Sequence, residues 1–148
     1  MPALVNLVAA FGAPRLRAAF AAAGLDGIRP GQAVALVPLA AGGLHASDLA
    51  EQLRVSRQAV AQAVAALERC DYVVRGPHPS DARARIIELT PRGRHALRVM
   101  RSTALDIEKR WRDVLGEHRF GELRETLLAL RSAETGESTE RQRGYPQG

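Results

Sequence analysis

The sequence predicts an α+β fold that is mainly α and carries one small β-hairpin. Apolar residues recur every three or four positions over most of the chain, which is the spacing of amphipathic helices. Two short helical patterns meet at a tight turn near Val55, and two segments rich in strand-forming residues follow them. A chain of 148 residues with this pattern is expected to form one compact domain with helical extensions.

We expect the N-terminal segment, residues 1–28, to form helices that another surface covers. Its apolar residues at helical spacing include Leu4, Leu7, Val8, Phe11, Leu16 and Phe20. Pro14 interrupts this pattern, so the segment is either one kinked helix or two short helices that end at Gly24. Because Asn6 is the only strongly polar residue before Gly12, this part must be buried by its own domain or by a second chain. A further helix is expected over residues 33–40.

Residues 47–69 are predicted to form a helix-turn-helix, with a first helix over residues 47–53 and a second from Arg57 to about Arg69, capped by Ser56. The second helix has an aliphatic side formed by Val60, Val64 and Leu67. The opposite side carries Gln58, Gln62, Ala65 and Arg69. Glutamine can form paired hydrogen bonds with adenine, and alanine keeps a helix slim enough for the major groove. Taken alone, the same pattern is also typical of an ordinary amphipathic surface helix.

The two strand-like segments, residues 72–75 and 85–89, are predicted to form a β-hairpin around a long tip at residues 76–84. The tip carries Arg83, and Arg75 and Arg85 lie at the bases of the strands. Arginine suits a narrow minor groove because the negative potential is concentrated there. We expect Asp81 to hold the Arg83 guanidinium in place before DNA binds.

A long helix is predicted to begin at Thr90-Pro91, since a threonine cap followed by proline is a strong start signal. Its apolar positions include Leu97, Met100, Ile107, Trp111 and Leu115. Gly116 is expected to end it, and a last helix over residues 120–132 places Leu123 and Leu127 on one side. Residues 133–148 are polar and contain glycine and proline, so we expect a disordered tail.

Charge and composition favour an anionic partner. Between Gln52 and Arg101 there are ten arginines and four acidic residues, although the net charge of the whole chain is only +5. A local basic field of this kind is typical of proteins that bind nucleic acid, although a solvated basic face gives the same count. The sequence has a single cysteine and no segment long enough to span a bilayer, so we expect a soluble, cytoplasmic protein without a membrane partner.

We expect no enzymatic activity, metal or cofactor, because no catalytic spacing or nucleotide-binding motif is present. The histidines at positions 45, 78, 95 and 118 have no paired spacing, although folding could bring two of them together across a dimer. Cys70 is either a small buried hydrophobic residue, the interpretation that we favour, or a redox switch activated by Arg69.

Three motifs in this order resemble the MarR family of winged helix-turn-helix transcriptional regulators. The motifs are Leu49-Ala50 to Ser56-Arg57-Gln58, Asp81-x-Arg83, and Leu89-Thr90-Pro91-x-Gly93. The similarity is close over residues 28–95 and looser in the flanking helices. Three positions depart from the family pattern: Asp71 replaces a glycine, Ala61 replaces a hydroxyl residue, and His45 replaces a Ser/Thr cap.

The resemblance implies a DNA-binding domain at residues 29–95 and a homodimer in which residues 1–28 and 96–132 of both chains interlock. The residues expected at the dimer interface are Leu4, Leu7, Phe11, Trp111, Leu123 and Leu127. The residues expected to contact or support contact with double-stranded DNA are Arg57, Gln58, Gln62, Arg69, Arg75, Asp81, Arg83 and Arg85. Two wings would then straddle one pseudo-palindromic operator.

The resemblance also implies regulation by a small phenolic or lipophilic ligand that releases the DNA. We expect its pocket to be lined by Leu16, Phe20 and Val34, where apolar side chains from two elements converge. The predicted function is therefore a dimeric, sequence-specific regulator that acts as a repressor. The alternatives are a winged-helix module that binds another protein and an architectural protein that binds DNA without sequence preference.

Overall fold

The structure is a computed structural model that describes residues 2–78 and 80–135, without the side chains of residues 2–5, 82, 83, 134 and 135. Its helices are α1 (Pro2–Ala10), α2 (Gly12–Ala22), α3 (Pro30–Ala33), α4 (Ala46–Leu53), α5 (Arg57–Arg69), α6 (Pro91–Leu115) and α7 (Glu117–Thr135). Its strands are β1 (Val73–His78) and β2 (Asp81–Leu89), which pair antiparallel. The mainly α fold with one small hairpin is therefore confirmed. The chain divides into two compact units after Leu105.

The core of the first unit is built around α5. The largest side chains that are fully buried are Tyr72, Phe20, Leu36, Leu49, Leu67, Val60, Val64 and Val73. They come from α2, the segment after α3, α4, α5 and the start of β1, so all of these elements share one apolar core. Because the aliphatic side of α5 faces this core, its opposite side is presented to solvent.

The predicted helix over residues 33–40 is wrong as a continuous α-helix. The α-helix α3 ends at Ala33, and two 3-10 segments follow it at Val34–Leu36 and Pro38–Ala41. Pro38 has no N–H to donate and its ring crowds the preceding turn, so the chain cannot continue an α-helix there. Of the two N-terminal alternatives, the structure has two separate helices, which are divided at Phe11.

The hairpin is longer than predicted, and its tip is shorter. The strands extend over most of the segment expected to be loop, so Asp81 and Arg83 belong to β2, and Ser80 lies in the turn before it. Pro77 pairs with Arg85 and His78 pairs with Asp81, so residues 82–84 form a bulge on β2. Leu44 adds a short bridge to the other edge of β2, since Leu44 and Ile87 exchange N–H···O bonds of 3.1 and 2.8 Å.

The second unit contains the end of α6 and all of α7. Gly116 joins the two helices with a φ of 76°, as expected for a helix-ending glycine. The Arg112 guanidinium carbon lies 4.7 Å from the centre of the buried Phe120 ring, and its Nε lies 3.1 Å from Oε2 of Glu117. The last helix begins earlier and ends later than predicted, so residues 133–135 are helical and the rest of the expected tail lies outside the described residues.

Candidate nucleic-acid interface

The helix α5, called the recognition helix below, begins where the sequence predicted. Ser56 has extended backbone angles, and its Oγ accepts a hydrogen bond of 3.1 Å from the Ala59 N–H. This bond satisfies one of the N–H groups that the first turn of a helix leaves without a partner. The preceding turn is closed by Arg54, which adopts the left-handed conformation with a φ of 54°. The helix-turn-helix prediction over residues 47–69 is therefore confirmed to within one residue.

The two sides of the recognition helix differ as the spacing predicted. Val60, Val64 and Leu67 are each 1% exposed. The exposed side carries Arg57, Gln58, Gln62 and Arg69, with Ala61 exposed and Ala65 half-buried between them. Because the buried side is purely aliphatic, none of the four long polar side chains is needed for the core. These four side chains do not pack in the core and can contact an external partner.

The turn after the recognition helix tolerates the unusual aspartate. Asp71 has a φ of 60°, and its N–H donates to the Glu68 carbonyl at 3.1 Å, while the Tyr72 N–H donates to the Leu67 carbonyl at 2.8 Å. This pair of bonds is the Schellman arrangement, which usually places glycine at the position of Asp71. Aspartate accepts the left-handed conformation better than most residues, so the turn forms at a modest cost.

The start of α6 is fixed to this same turn. The Thr90 hydroxyl donates to the Asp71 carbonyl and accepts from the Gly93 N–H at 3.0 Å. The Thr90 N–H also donates to the Tyr72 carbonyl at 3.2 Å. A Cβ on Gly93 would lie only 2.0 Å from that carbonyl oxygen, so glycine is required there. The Thr90-Pro91-x-Gly93 motif therefore locks the recognition helix, the hairpin and α6 together.

Tyr72 anchors the same junction from inside the core. It is 0% exposed, and its hydroxyl donates to the Asp26 carbonyl at 2.7 Å. Burial raises the pKa of the Tyr72 phenol above its ordinary value of 10.0, and the nearby Arg92 guanidinium opposes this shift. Arg92 lies over the Tyr72 ring, with its guanidinium carbon 4.9 Å from the ring centre. The Tyr72 ring is therefore held in the core by packing and by the Arg92 cation that lies over it.

The arginines of the hairpin, which we call the wing, do not share one environment. Arg75 Nε lies 3.3 Å from Oε2 of Glu68, so this side chain connects the wing to the end of the recognition helix. Arg85 and Asp81 are exposed. The backbone of Arg83 lies in the bulge of β2, but its side chain is outside the described residues, so its contact with Asp81 stays a prediction.

A groove in the first unit was missed by sequence reasoning. It has a volume of about 900 Å³ and is lined on one side by Arg94, Arg98 and Arg101 of α6. Apolar residues, among them Val37 and Val74, line other parts of it. The signal was available, since positions 94, 98 and 101 recur at helical spacing and must share one side of α6.

The residues expected to bind a ligand differ in exposure. Phe20 is 2% exposed and packed in the core, whereas Val34 is 50% exposed and Leu16 is partly buried. Their role in ligand binding stays a prediction.

The residues expected at the dimer interface are largely exposed. Leu7 and Phe11 are 57% and 59% exposed in the first unit, and Leu127 is 47% exposed in the second. Trp111 and Leu123 are half-buried, and the side chain of Leu4 is outside the described residues. Further large apolar residues that are exposed in the second unit are Val114, Leu128 and Leu130.

Cys70 packs as a small residue. Its Sγ would lie 2.5 Å from a Cβ built on Gly27, and the side chain contacts the edge of the core. Within residues 2–78 and 80–135, no group of three or more His, Cys, Asp or Glu side chains is arranged to hold a metal ion. None of the helices in that part of the chain has the length and apolar character of a membrane span.

Comparisons with known proteins agree with this geometry. A helix-turn-helix followed by a two-stranded wing defines the class of winged helix-turn-helix proteins. Residues 24–84 match the model of the MarR family. The transcriptional activatory protein BadR of Rhodopseudomonas palustris is 32% identical over 93 residues, which are 63% of this chain and 52% of that protein. The match thus spans about half the length of that curated relative.

Solved structures have the same fold. A MarR transcriptional regulator from Methanosarcina mazei matches with a TM-score of 0.76 and 18% identity, over 91% of this chain and 96% of that one. A probable transcriptional regulator from Pseudomonas aeruginosa matches with a TM-score of 0.63 and 24% identity, over 85% and 96%. The chain therefore has the winged-helix fold of these regulators, and the family model over residues 24–84 confirms the resemblance seen in its motifs.

Proposed function

We propose that this protein is a sequence-specific DNA-binding regulator whose recognition helix enters the major groove. The observation that carries the proposal is the division of α5 into a buried aliphatic side and an exposed side with Arg57, Gln58, Gln62 and Arg69. Glutamine can read adenine through paired hydrogen bonds, and the arginines can bind guanine or phosphate. The small residues Ala61 and Ala65 leave the helix narrow enough for a groove about 12 Å wide.

The wing supplies the second contact in this proposal. Arg83 lies in the bulge of β2, and a bulge redirects the side chains that it carries. We assign Arg83 to the minor groove, with exposed Asp81 and Arg85 beside it. Arg75, also assigned to DNA, forms an ion pair with Glu68 that supports the angle between the wing and the recognition helix.

The protein is proposed to act as a homodimer. Exposed apolar side chains at both ends of the chain, such as Leu7, Phe11 and Leu127, would be covered by a second copy. In a two-fold dimer, two recognition helices read half-sites about one helical turn apart on a pseudo-palindromic operator. Sedimentation of Leu127→Glu should show weaker dimerisation, whereas Arg131→Glu, also on α7 and exposed, should stay dimeric. A wild-type monomer at micromolar concentration would contradict this proposal.

A small organic anion is proposed to regulate DNA binding. Besides the expected site at Leu16, Phe20 and Val34, the groove offers a second candidate site. Arg94, Arg98 and Arg101 supply positive charge there, Glu88 one acidic group, and Val37 and Val74 apolar surface. The groove includes residues at the base of the wing. A ligand that binds only when the wing is in one position therefore changes the fraction of the protein that can bind DNA. Calorimetry with 1-naphthoate and its neutral alcohol tests for a charge-dependent site.

The proposed regulatory effect is repression by occupation of an operator. The relative BadR is named an activatory protein, so the sign of regulation needs its own assay. A promoter fused to a reporter, with the operator present or scrambled, should give higher expression when the protein is deleted. Lower expression on deletion would show that the protein activates transcription.

The test of the proposed function is selection and sequencing of genomic DNA fragments bound by the purified protein at two salt concentrations. Recovery of a pseudo-palindrome supports the proposal, uniform salt-sensitive retention supports an architectural protein, and no retention supports a protein-binding module. On the recovered operator, Gln62→Ala should lose about 1–3 kcal/mol of preference for one base. Arg83→Ala should weaken binding to all sequences and reduce the salt dependence.

A further inference from the structure

His45 and His78 stack on each other, although they are distant in sequence. Their ring centres are 5.6 Å apart and their planes are inclined by 12°. His45 is the N-cap residue of α4, and His78 is the last residue of β1. The stack, called the histidine pair below, therefore joins the first helix of the helix-turn-helix directly to the outer part of the wing. Sequence spacing gave no sign of it, because strand pairing creates the contact.

The hydrogen bonds of the histidine pair fix where the protons lie. His45 Nδ1 is 3.0 Å from the Arg85 carbonyl oxygen, which can only accept, so this nitrogen carries a proton. His78 Nδ1 is 3.1 Å from the Ser80 N–H, which can only donate, and 2.8 Å from the Ser80 hydroxyl. His78 Nδ1 must therefore be unprotonated. His45 can gain a second proton and keep its bond, whereas a protonated His78 loses the bond from the Ser80 N–H and can only donate to the Ser80 hydroxyl.

The hydrogen bonds between His78 and Ser80 hold the outer wing, which is the end of the hairpin that contains His78 and residues 80–84. Pro77 has no N–H, and after it the register shifts so that His78 pairs with Asp81. The three bulge residues, 82–84, have no partner on β1. The positions of Asp81 and of the Arg83 backbone thus depend on the hydrogen bonds between His78 and Ser80.

We propose that the histidine pair is a pH-sensitive positioning device for the wing, which holds the outer wing in its DNA-binding position only while His78 is neutral. Histidine is the side chain that ordinarily changes charge between about pH 5 and 8. Protonation of His78 removes the acceptor of the Ser80 N–H, reverses the bond to the Ser80 hydroxyl, and places a cation against the His45 ring. This inference rests on the proposed function, in which the outer wing contacts DNA.

Charged side chains of both signs lie on the elements that carry the histidine pair. Among the described side chains, the acidic ones nearest in the chain are Asp48 on α4 and Asp81 on β2. The basic ones are Arg75 on β1 and Arg85 on β2.

The test in DNA binding compares affinities for the selected operator fragment at pH 7.5 and pH 5.5. The wild-type affinity should fall about threefold to tenfold at the lower pH, the range expected for the loss of one hydrogen bond. If added positive charge near the phosphates were the only effect, affinity would instead rise. In His78→Asn the side-chain oxygen can still accept from Ser80 but does not titrate, so this variant should bind equally at both pH values. His118→Asn alters an exposed histidine on α7 and should keep the wild-type profile.

A second measurement does not require DNA. In NMR spectra, His78 Nδ1 should be unprotonated at pH 7.5, and the Ser80 amide resonance should shift with the protonation of the His78 ring. The inference would be overturned if the Ser80 amide resonance did not change with protonation of His78. It would also be overturned if His78→Asn lost DNA affinity between pH 7.5 and pH 5.5 as the wild type does. If the protein binds no DNA at any pH, the proposed function fails, and the NMR result still decides whether the histidine pair controls the wing.

Discussion

Replacing Gly93 with alanine tests the close contact that fixes α6 to the end of the recognition helix. A Cβ at this position would lie 2.0 Å from the Tyr72 carbonyl oxygen, 3.1 Å from its carbonyl carbon and 3.2 Å from Cδ2 of Leu89. Non-bonded heavy atoms prefer about 3.5 Å or more, so the backbones must separate by roughly 1 Å or more. That movement strains the Thr90 N–H bond to the same carbonyl, which is already 3.2 Å long.

The magnitude follows from two opposing effects. Overpacking a buried site costs about 1–3 kcal/mol and more where backbone has to move, whereas alanine in place of glycine in a helix returns up to about 1 kcal/mol. We therefore expect Gly93→Ala to lower the free energy of unfolding by at least about 2 kcal/mol. Gly121→Ala is the matched control, because it is also in a helix and a Cβ there meets nothing within 4 Å. This control should be stabilised by about 0.5–1 kcal/mol.

Urea unfolding followed by circular dichroism measures both variants. The variants should move the midpoint in opposite directions, with little change in the denaturant dependence. If Gly93→Ala were as stable as Gly121→Ala, α6 would not approach the Tyr72 backbone as closely as the structure indicates. The assignment of the Thr90-Pro91-x-Gly93 motif to this junction would then be wrong.

Two further predictions concern the same junction. Thr90→Ala removes the hydroxyl that bonds both Asp71 and Gly93 and should cost about 1–3 kcal/mol, whereas Thr126→Ala, whose hydroxyl bonds only within its own helix, should change the urea midpoint little. Tyr72→Phe should cost about 1 kcal/mol at neutral pH through loss of one hydrogen bond. Because the folded pKa of Tyr72 is raised above 10.0, the unfolded chain ionises first and stability should fall as pH rises past that value. The midpoint of Tyr72→Phe should depend less on pH between 9 and 11, and equal slopes would contradict the buried phenol.

Local signals were sufficient to predict the recognition helix. Its start depends on Ser56, whose cap is made within one turn, and its aliphatic side follows from the helical period alone. The start of α6 at Pro91 was predictable for the same reason. The length of the wing was not, because Gly76 and Pro77 favour turns locally and only pairing with β2 keeps them extended. Strand pairing overrides local preference, and sequence spacing does not report it.

The roles of individual polar side chains were harder to predict than the elements that carry them. Arg75 is expected at DNA, which stays a prediction, and the fold also places its Nε 3.3 Å from Oε2 of Glu68 on the preceding helix. The stacking of His45 on His78 likewise requires the bridge between Leu44 and β2. In each case the partner comes from another element, so its distance depends on the tertiary fold. Only the groups on one helix, such as the arginines of the groove, could have been found from spacing.

The junction explains how the exposed side of the recognition helix can vary on a constant framework. The angle between the recognition helix and the wing is set mainly by backbone groups of Asp71, Tyr72 and Gly93 and by the Thr90 hydroxyl. The exposed side of the recognition helix takes no part in these contacts. Surface substitutions away from caps and core usually change stability by less than about 0.5 kcal/mol. Changes at Gln62 and its neighbours should therefore alter which bases are read and leave the position of the helix unchanged.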